Sequence, residues 1–361
     1  MRDALRKLHR WFGITLALPL IIEATTGFIL AITPVWDSLT ALPPSSAIGP
    51  VGRPAAIISA AHALALDLVP IRYHPGDDPR SPVSVDLALP RQRTTELRVL
   101  IDPVTLGAVA TLVQPDEFYR SVRGLHERLL IPAFWGRSVI GWIGVGLLVL
   151  SISGVPIWWN LGRRSTARSR LRGLPLWREL HRSVGICLAA VLAIQAVSGV
   201  ALAFPQTFRS LLAAQTGLPV RRNQDVPPPV PDVDAILAQA FAAVTNARLR
   251  DLSLPSAAGM PAVVSLQPDT GGVPAVVFVD PLGQRVLAAQ DPAGPAFGTT
   301  VLLWLRALHA GSSLGHIWRT LVCVAGLLLP LLPLSGLAMW SLRRRGEQAI
   351  REQTSLPVIA E

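Results

Sequence analysis

Seven histidines stand in this 361-residue chain, and four of them follow a leucine: His9 in LHRWFG, His126 in LHER, His181 in LHRS and His309 in LHAG. Each of the four precedes an apolar run. A neutral imidazole can offer one ring nitrogen to a metal while the other donates a hydrogen bond. A single histidine at the edge of an apolar segment needs no function, because its ring tolerates a wet boundary. Four in one repeated setting pose a further question, and the answer depends on the elements that place them.

Half of the chain is hydrophobic, 16% is charged, and the mean hydropathy is +0.44. That balance points to a membrane protein. Four apolar segments, 11–33, 139–159, 185–204 and 321–340, each approach the roughly twenty residues with which a helix crosses about 30 Å of hydrocarbon. The first segment is basic in front, like a secretory signal. Its apolar run is too long for one, and no small-residue cleavage site closely follows, so it is read as an uncleaved anchor.

The formal charge of +10 is a matter of topology and gives no sign of nucleic acid. Arg2, Arg6, Lys7 and Arg10 precede the first span. Arg163, Arg164, Arg168, Arg170, Arg172, Arg178 and Arg182 fill the short connection between spans two and three, and Arg343, Arg344 and Arg345 follow span four. The positive-inside rule then puts both termini and the arginine-rich connection in the cytoplasm, and the two long loops outside. The two cysteines, Cys187 and Cys323, lie in different apolar spans and read as small buried hydrophobes. No CxxC or CxxCH is present.

The chain reads as a duplication. LHRWFGITLALPLIIEATTGFILAI aligns with LHRSVGICLAAVLAIQAVSGVALAF at an offset of 172, matching His9 with His181, Gly13 with Gly185, Thr26 with Ser198 and Gly27 with Gly199. Spans two and four align at an offset of 182, matching Ser153 with Ser335, Gly154 with Gly336 and Trp158 with Trp340. His126 and His309 correspond after a one-residue gap. Equivalent spans cross in the same direction, so the repeat is parallel, with a pseudo-twofold axis along the membrane normal. Each long loop carries an alanine-rich helix and strand-like runs that end in an Asp-Pro turn, at Asp102 and Asp280. DVPPPVPDV, 225–233, reads as a stiff linker.

The expected layout has eight parts. Residues 1–33 form the cytoplasmic N-terminus and helix one, and 34–120 an outward α+β module. Residues 121–160 form an interfacial segment with helix two, 161–182 the arginine-rich cytoplasmic loop, and 183–205 helix three. Residues 206–305 form a second outward module, 306–342 an interfacial segment with helix four, and 343–361 a cytoplasmic tail.

A twofold axis brings equivalent side chains together, so His9 should face His181 near the cytoplasmic side and His126 should face His309 near the outer side. Two facing imidazoles can fill both axial positions of a haem iron between helices. Gly13 and Gly185, one turn beyond the inner pair, would admit a bulky group. The constellation suggests two b-type haems. A zinc or copper site is the competing reading, but two histidines per site fall short of a closed tetrahedral set. His316, seven residues after His309, would share its helical face and serve as an alternative outer ligand or line the site. His62 and His74 sit in the loops and read as solvated or structural. Glu23 lies midway along span one, opposite Gln195 in the repeat. A carboxyl at that depth should face the bundle interior, where it carries protons, touches a quinol, or is protonated and simply hydrogen-bonded. Thr25, Thr26 and Ser198 read as bonded to backbone or as small packing residues. Trp158, Trp159 and Trp340 read as an interfacial belt.

The four Leu-His blocks, each with Ser/Thr-Gly inside its span, resemble the PepSY-associated transmembrane family. That family includes bacterial inner-membrane ferric-siderophore reductases and iron-regulated membrane proteins. The resemblance covers nearly the whole chain. It implies four transmembrane helices as a 2+2 parallel duplication, two periplasmic PepSY-like α+β modules, and haem b held by His9, His126, His181 and His309. It also implies electron transfer across the membrane to periplasmic ferric chelates, a ferric-chelate reductase activity. His316 and Glu23 stand where an apolar residue is expected.

Three functional readings follow. The first is an electron conduit in the membrane lipid, taking electrons from a quinol or a cytoplasmic reductase. No GxGxxG follows a strand, so the donor is another molecule. The second is a non-enzymatic periplasmic sensor or binding module on a membrane anchor. The third is a small permease, with Glu23 alone marking a pathway. Arg53, Arg72, Arg221 and Arg222 are the loop cations that could attract an anionic chelate.

Overall fold

The computed structural model describes residues 2–39, 42–76, 78–90, 92, 94–113, 117–162, 173–212, 230–270, 273–290 and 297–354. The arginines at 163–172, Arg221 and Arg222, and the linker residues 225–229 lie outside the described residues. In chain order, α1 (Arg2–Thr15) and α2 (Ala17–Leu39) are followed by α3 (Pro54–Ala63), then β1 (Val69–His74), β2 (Val83–Ala88), β3 (Leu97–Ile101) and β4 (Ala108–Val113). Next come α4 (Glu117–Arg128), α5 (Ala133–Gly162), α6 (Leu174–Ala203), α7 (Pro205–Leu211) and α8 (Val233–Ala243). Strands β5 (Ala247–Ser253), β6 (Ala262–Pro268), β7 (Ala275–Val279) and β8 (Val286–Gln290) lead to α9 (Phe297–His309), α10 (Gly315–Leu328) and α11 (Leu331–Thr354). These elements divide into two units: 1–33, 121–205 and 305–361 in one, 34–120 and 206–304 in the other.

The first unit is helical. Three helices are long and apolar enough to cross a membrane: Trp135–Trp159, Leu174–Ala203 and Gly315–Gln348. A fourth span is present if α1 and α2 count as one, although they bend by 64° at Leu16. The sequence reading took 11–33 as one uninterrupted helix. Pro19 supplies the reason for the bend: it has no N–H to return to the Thr15 carbonyl, and its ring crowds that carbonyl. The ladder resumes around it through Leu16 N to Phe12 O and Leu20 N to Leu16 O, both 2.9 Å. Helix α6 starts eleven residues before the apolar run at 185, which places His181 inside the helix. Ala24, Leu188, Leu192, Ala325 and Leu329 form the buried centre of this unit. Both cysteines are free, and Cys187 is exposed, on the helix face turned away from the bundle, which corrects its reading as a buried hydrophobe.

The second unit is a single eight-stranded antiparallel sheet, ordered β4-β3-β2-β1-β5-β6-β7-β8. The two expected α+β modules therefore share one sheet. They join where β1 meets β5, with Arg72 opposite Ser253 and Tyr73 opposite Leu252. Alternation along the strands puts Val85, Leu87, Val99, Leu252, Val264, Leu266 and Val277 under α3 and α8, each at most 1% exposed. The opposite face carries the charges. Asp86 is fully buried between Arg98, at 2.6 and 3.0 Å, and Arg72, at 3.8 Å. His74 Nδ1 lies 2.9 Å from Asp251 Oδ1 beside the seam. Both Asp-Pro turns close hairpins: Asp102 Oδ1 accepts from the Val104 and Thr105 amides, and Asp280 Oδ1 from the Leu282 amide.

Candidate functional site

The helical unit brings the four Leu-His histidines together as two pairs. The ring centroids of His9 and His181 are 6.2 Å apart with their planes at 88°, and those of His126 and His309 are 6.2 Å apart at 39°. Helix α6 relates the pairs, since it carries His181 and also Ser198, which touches His309. Those two positions are 17 residues apart, about 26 Å along a helix rising 1.5 Å per residue. The pairs therefore lie near opposite ends of a membrane span.

The same device holds each ring. A Ser/Thr-Gly dipeptide on a neighbouring helix provides a hydroxyl beside Nδ1 and a glycine against the ring. Ser153 Oγ lies 2.8 Å from His9 Nδ1, and Ser335 Oγ 2.9 Å from His181 Nδ1. Thr26 Oγ1 lies 3.0 Å from His126 Nδ1, and Ser198 Oγ 3.1 Å from His309 Nδ1. A Cβ on Gly27 or Gly199 would stand 3.0 Å from the imidazole Cε1 of His126 or His309, so a side chain there would have to push the ring aside by a few tenths of an ångström. At Gly154 and Gly336 the corresponding distances, to His9 and His181, are 3.5 and 3.9 Å. The four hydroxyl-bearing residues are at most 5% exposed, inside an apolar bundle.

This network assigns the tautomers. Each hydroxyl donates to a carbonyl of its own helix: Thr26 to Ile22 at 2.7 Å, Ser198 to Ile194 at 2.8 Å, Ser335 to Leu332 at 3.0 Å and Ser153 to Leu150 at 3.3 Å. With its proton engaged there, the hydroxyl can only accept from the ring. His181 Nδ1 also approaches the Leu332 carbonyl at 3.0 Å, and His309 Nδ1 the Gln195 carbonyl at 3.2 Å, and a carbonyl only accepts. Nδ1 is thus the protonated nitrogen in all four rings. Nε2 keeps its lone pair, and no hydrogen bond among the described residues engages it. Histidines that ligate a metal through one nitrogen are oriented in this way through the other.

Each pair brings together two imidazoles, the number a haem iron would take from protein. Among the described residues no group of three or more His, Cys, Asp or Glu side chains gathers to close a site from protein alone. A macrocycle that brings its own four equatorial nitrogens needs only the two ligands each pair provides. Next to the inner pair, a Cβ on Gly13 or Gly185 would meet only Leu150 at 3.9 Å or Leu332 at 3.8 Å, which leaves room against those helix faces.

The remaining candidates fall in different places. His316 is on α10, a separate helix from the α9 that ends in His309. Positive φ angles at Gly311, Leu314 and Gly315 break the helix between them, so the two do not share a helical face, and His316 is exposed. Glu23 does face inward: its Oε2 lies 3.3 Å from His126 Nδ1, and its Oε1 is buried without a hydrogen-bond partner among the described residues. Its counterpart Gln195 donates instead to the Leu308 carbonyl at 3.2 Å. Arg53 pairs with Asp234 at 3.2 Å and Arg72 with Asp86. His62 lines a cleft of about 380 Å³ between α3 and α8.

The sequence reading gave Thr26 and Ser198 to backbone bonds and helix packing, and gave Ser153 and Ser335 no role. They make those backbone bonds and hold the rings as well. The signal was present, since Ser/Thr-Gly recurs in step with Leu-His.

The family model for the PepSY-associated TM region matches residues 6–343, and the chain belongs to this family of membrane proteins. A comparison with curated proteins gave no match.

Proposed function

We propose that this is a haem b-containing electron-transfer protein of the bacterial inner membrane, which passes electrons across the membrane to reduce periplasmic ferric chelates such as ferric siderophores. The observation that carries the reading is the pairing of His9 with His181 and His126 with His309. Each pair sets two imidazoles with centroids 6.2 Å apart, and each ring has Nδ1 bonded while no hydrogen bond among the described residues engages Nε2, so the four rings could hold haem iron. Bound between such pairs, haem supplies reversible one-electron chemistry at iron. The chain's part is to fix four rings in one tautomer, to keep water from them with an apolar bundle, and to set the two sites one span apart. Reducing a ferric chelate to Fe(II) weakens its hold on hard oxygen donors and frees the metal.

The repeated contacts favour a 2+2 parallel duplication, because Ser153-Gly154 does for His9 what Ser335-Gly336 does for His181, and Thr26-Gly27 does for His126 what Ser198-Gly199 does for His309. The arginine distribution favours both termini in the cytoplasm and the sheet, as a PepSY-like module, in the periplasm. The His9–His181 site would then receive electrons from a quinol or cytoplasmic reductase, and the His126–His309 site would deliver them.

The test is an absorption spectrum of the detergent-purified protein, oxidised and dithionite-reduced, after expression with ample haem supply. A six-coordinate b-type spectrum with about two haems per chain is the expected result. Protein that folds and carries no haem would sink the proposal.

A further inference from the structure

The repeated block is longer than Leu-His. Each of the four histidines has an arginine three residues before it: Arg6 before His9, Arg123 before His126, Arg178 before His181 and Arg306 before His309. The blocks read RKLH, RGLH, RELH and RALH, so the residue between arginine and leucine varies while the other three recur. Arginine and histidine of each block lie on one helix, α1, α4, α6 or α9. Three residues apart they share a helix face, with roughly 5–6 Å between Cβ atoms. The Arg123 charge is felt at the His126 ring.

Ion pairs within the protein do not account for the repetition. Arg6 lies 3.6 Å from Asp3 and Arg123 3.9 Å from Glu127, but all four side chains are at least 48% exposed, and such contacts add little. Arg178 and Arg306 are exposed, and neither has a carboxylate partner among the described residues. Membrane topology accounts for Arg6 and Arg178 on the cytoplasmic side. It gives no reason for Arg123 and Arg306 beside the outer pair.

We propose that these four arginines bind the carboxylates of two haems, Arg6 and Arg178 at the inner site and Arg123 and Arg306 at the outer one. The inference rests on the reading of both histidine pairs as haem sites. Haem b carries two propionate side chains, so two sites present four carboxylates, and the chain brings two arginines to each pair, one from each half of the repeat. A guanidinium is permanently charged and offers a planar fork that matches a carboxylate. Two axial bonds leave a macrocycle free to turn about the axis through its iron. An arginine beside each ligand removes that freedom and gives partners to anionic groups that an apolar bundle would otherwise leave unpaired. Lipid phosphates offer similar oxygens, and the test separates them from haem.

Full-length protein stripped of haem, in a phosphate-free detergent, is titrated with haem b and with its dimethyl ester, which keeps the iron and ring and has no carboxylate charge. A His9→Ala background leaves the outer site alone, and His309→Ala the inner one. Arg306→Gln in the first and Arg178→Gln in the second should weaken haem b binding by about tenfold and leave ester binding as in the parent. Equal weakening of both porphyrins would make the arginines structural and overturn the proposal. Unchanged haem b affinity overturns it too, and lost retention of added phosphatidylglycerol in those variants would then assign the arginines to lipid. Should the parent not hold the ester, Arg306→Lys decides: affinity between that of the parent and Arg306→Gln supports the proposal, and a loss equal to that of Arg306→Gln overturns it. A wild-type protein that takes up neither porphyrin overturns the haem reading beneath it.

Discussion

Ser153 Oγ stands 2.8 Å from His9 Nδ1 and donates its own proton to the Leu150 carbonyl at 3.3 Å. That relationship fixes the tautomer of His9, and among the described residues His9 has no second hydrogen-bond partner to take over. His181 does, because the Leu332 carbonyl backs up Ser335 at 3.0 Å. The two serines are equivalent in the repeat but unequal in consequence. Ser153→Ala leaves a buried N–H unpaired, at a cost of roughly 1–3 kcal/mol, and should weaken haem binding at the inner site by about 10–100-fold. Ser335→Ala should have a clearly smaller effect. Haem titration of the two apo-proteins in detergent makes the comparison, and equal losses would contradict the tautomer assignment.

Pairing makes a prediction of its own. His126→Ala and His309→Ala should each remove one haem and leave the other, and so should His9→Ala and His181→Ala. The two outer variants should share one residual spectrum and the two inner variants the other, because each pair forms a single site. Loss of both haems from a single substitution in a protein that still folds would refute the pairing.

The glycines separate holding a ring from making room. Gly27→Ala and Gly199→Ala would press a methyl within 3.0 Å of an imidazole carbon, so they should disturb His126 and His309 even without haem and lower thermal stability by about 1–3 kcal/mol. Gly13→Ala and Gly185→Ala meet no protein atom closer than 3.8 Å. They should leave the apo-protein's melting unchanged and still reduce haem retention, if the macrocycle packs there. Thermal melts with and without haem distinguish the two classes.

Membrane spans were legible in the sequence because hydrophobic length is a direct physical requirement of the bilayer. The grouping of His9 with His181 was legible because the repeat supplies a symmetry argument that single residues cannot. The bend at Leu16 was missed although Pro19 was in view, because hydropathy measures length and ignores the lost N–H. The His309–His316 register failed because a helical spacing was carried across a break: Gly311, with φ of 70°, follows the end of α9 and glycine is the residue that favours such an end, whereas Leu314, with φ of 53° before α10, is a turn no residue preference announces. The joining of the two modules into one sheet was not legible either. Pairing of β1 with β5 depends on edges far apart in sequence, and alternation within a strand says nothing about its neighbour.

That sheet makes a prediction apart from the histidines. Asp86 is fully buried and takes both hydrogen bonds from Arg98, with Arg72 beyond, across β1, β2 and β3. Asp86→Ala leaves two guanidinium groups without their anion and should cost on the order of 3 kcal/mol, a value held down by the partial exposure of both arginines. Asp86→Asn keeps one acceptor and should cost less. Thermal unfolding should show the sheet losing cooperativity first, with haem content unaffected at low temperature.

The hairpin turn after β3 predicts a pH dependence. Asp102 lies outside the spans, and its carboxyl is held below the usual carboxylate range, chiefly by the hydrogen bond from Ser45 and further by the Thr105 and Val104 amides and the nearby Arg80 guanidinium. A carboxyl depressed in the folded state stabilises the fold above its unfolded pKa of about 3.9. That contribution disappears as pH falls through the lower folded value. Asp102→Asn keeps an acceptor for the amides and removes the charge. Its melting temperature should therefore lie below wild type near neutrality, and the gap should close as both are taken below about pH 4. The partial exposure of Asp102 keeps the effect small, so the quantity to follow is the difference between the two melts across pH. A gap of constant size down to acid pH would mean that the turn depends on the shape of the side chain and draws nothing from its charge.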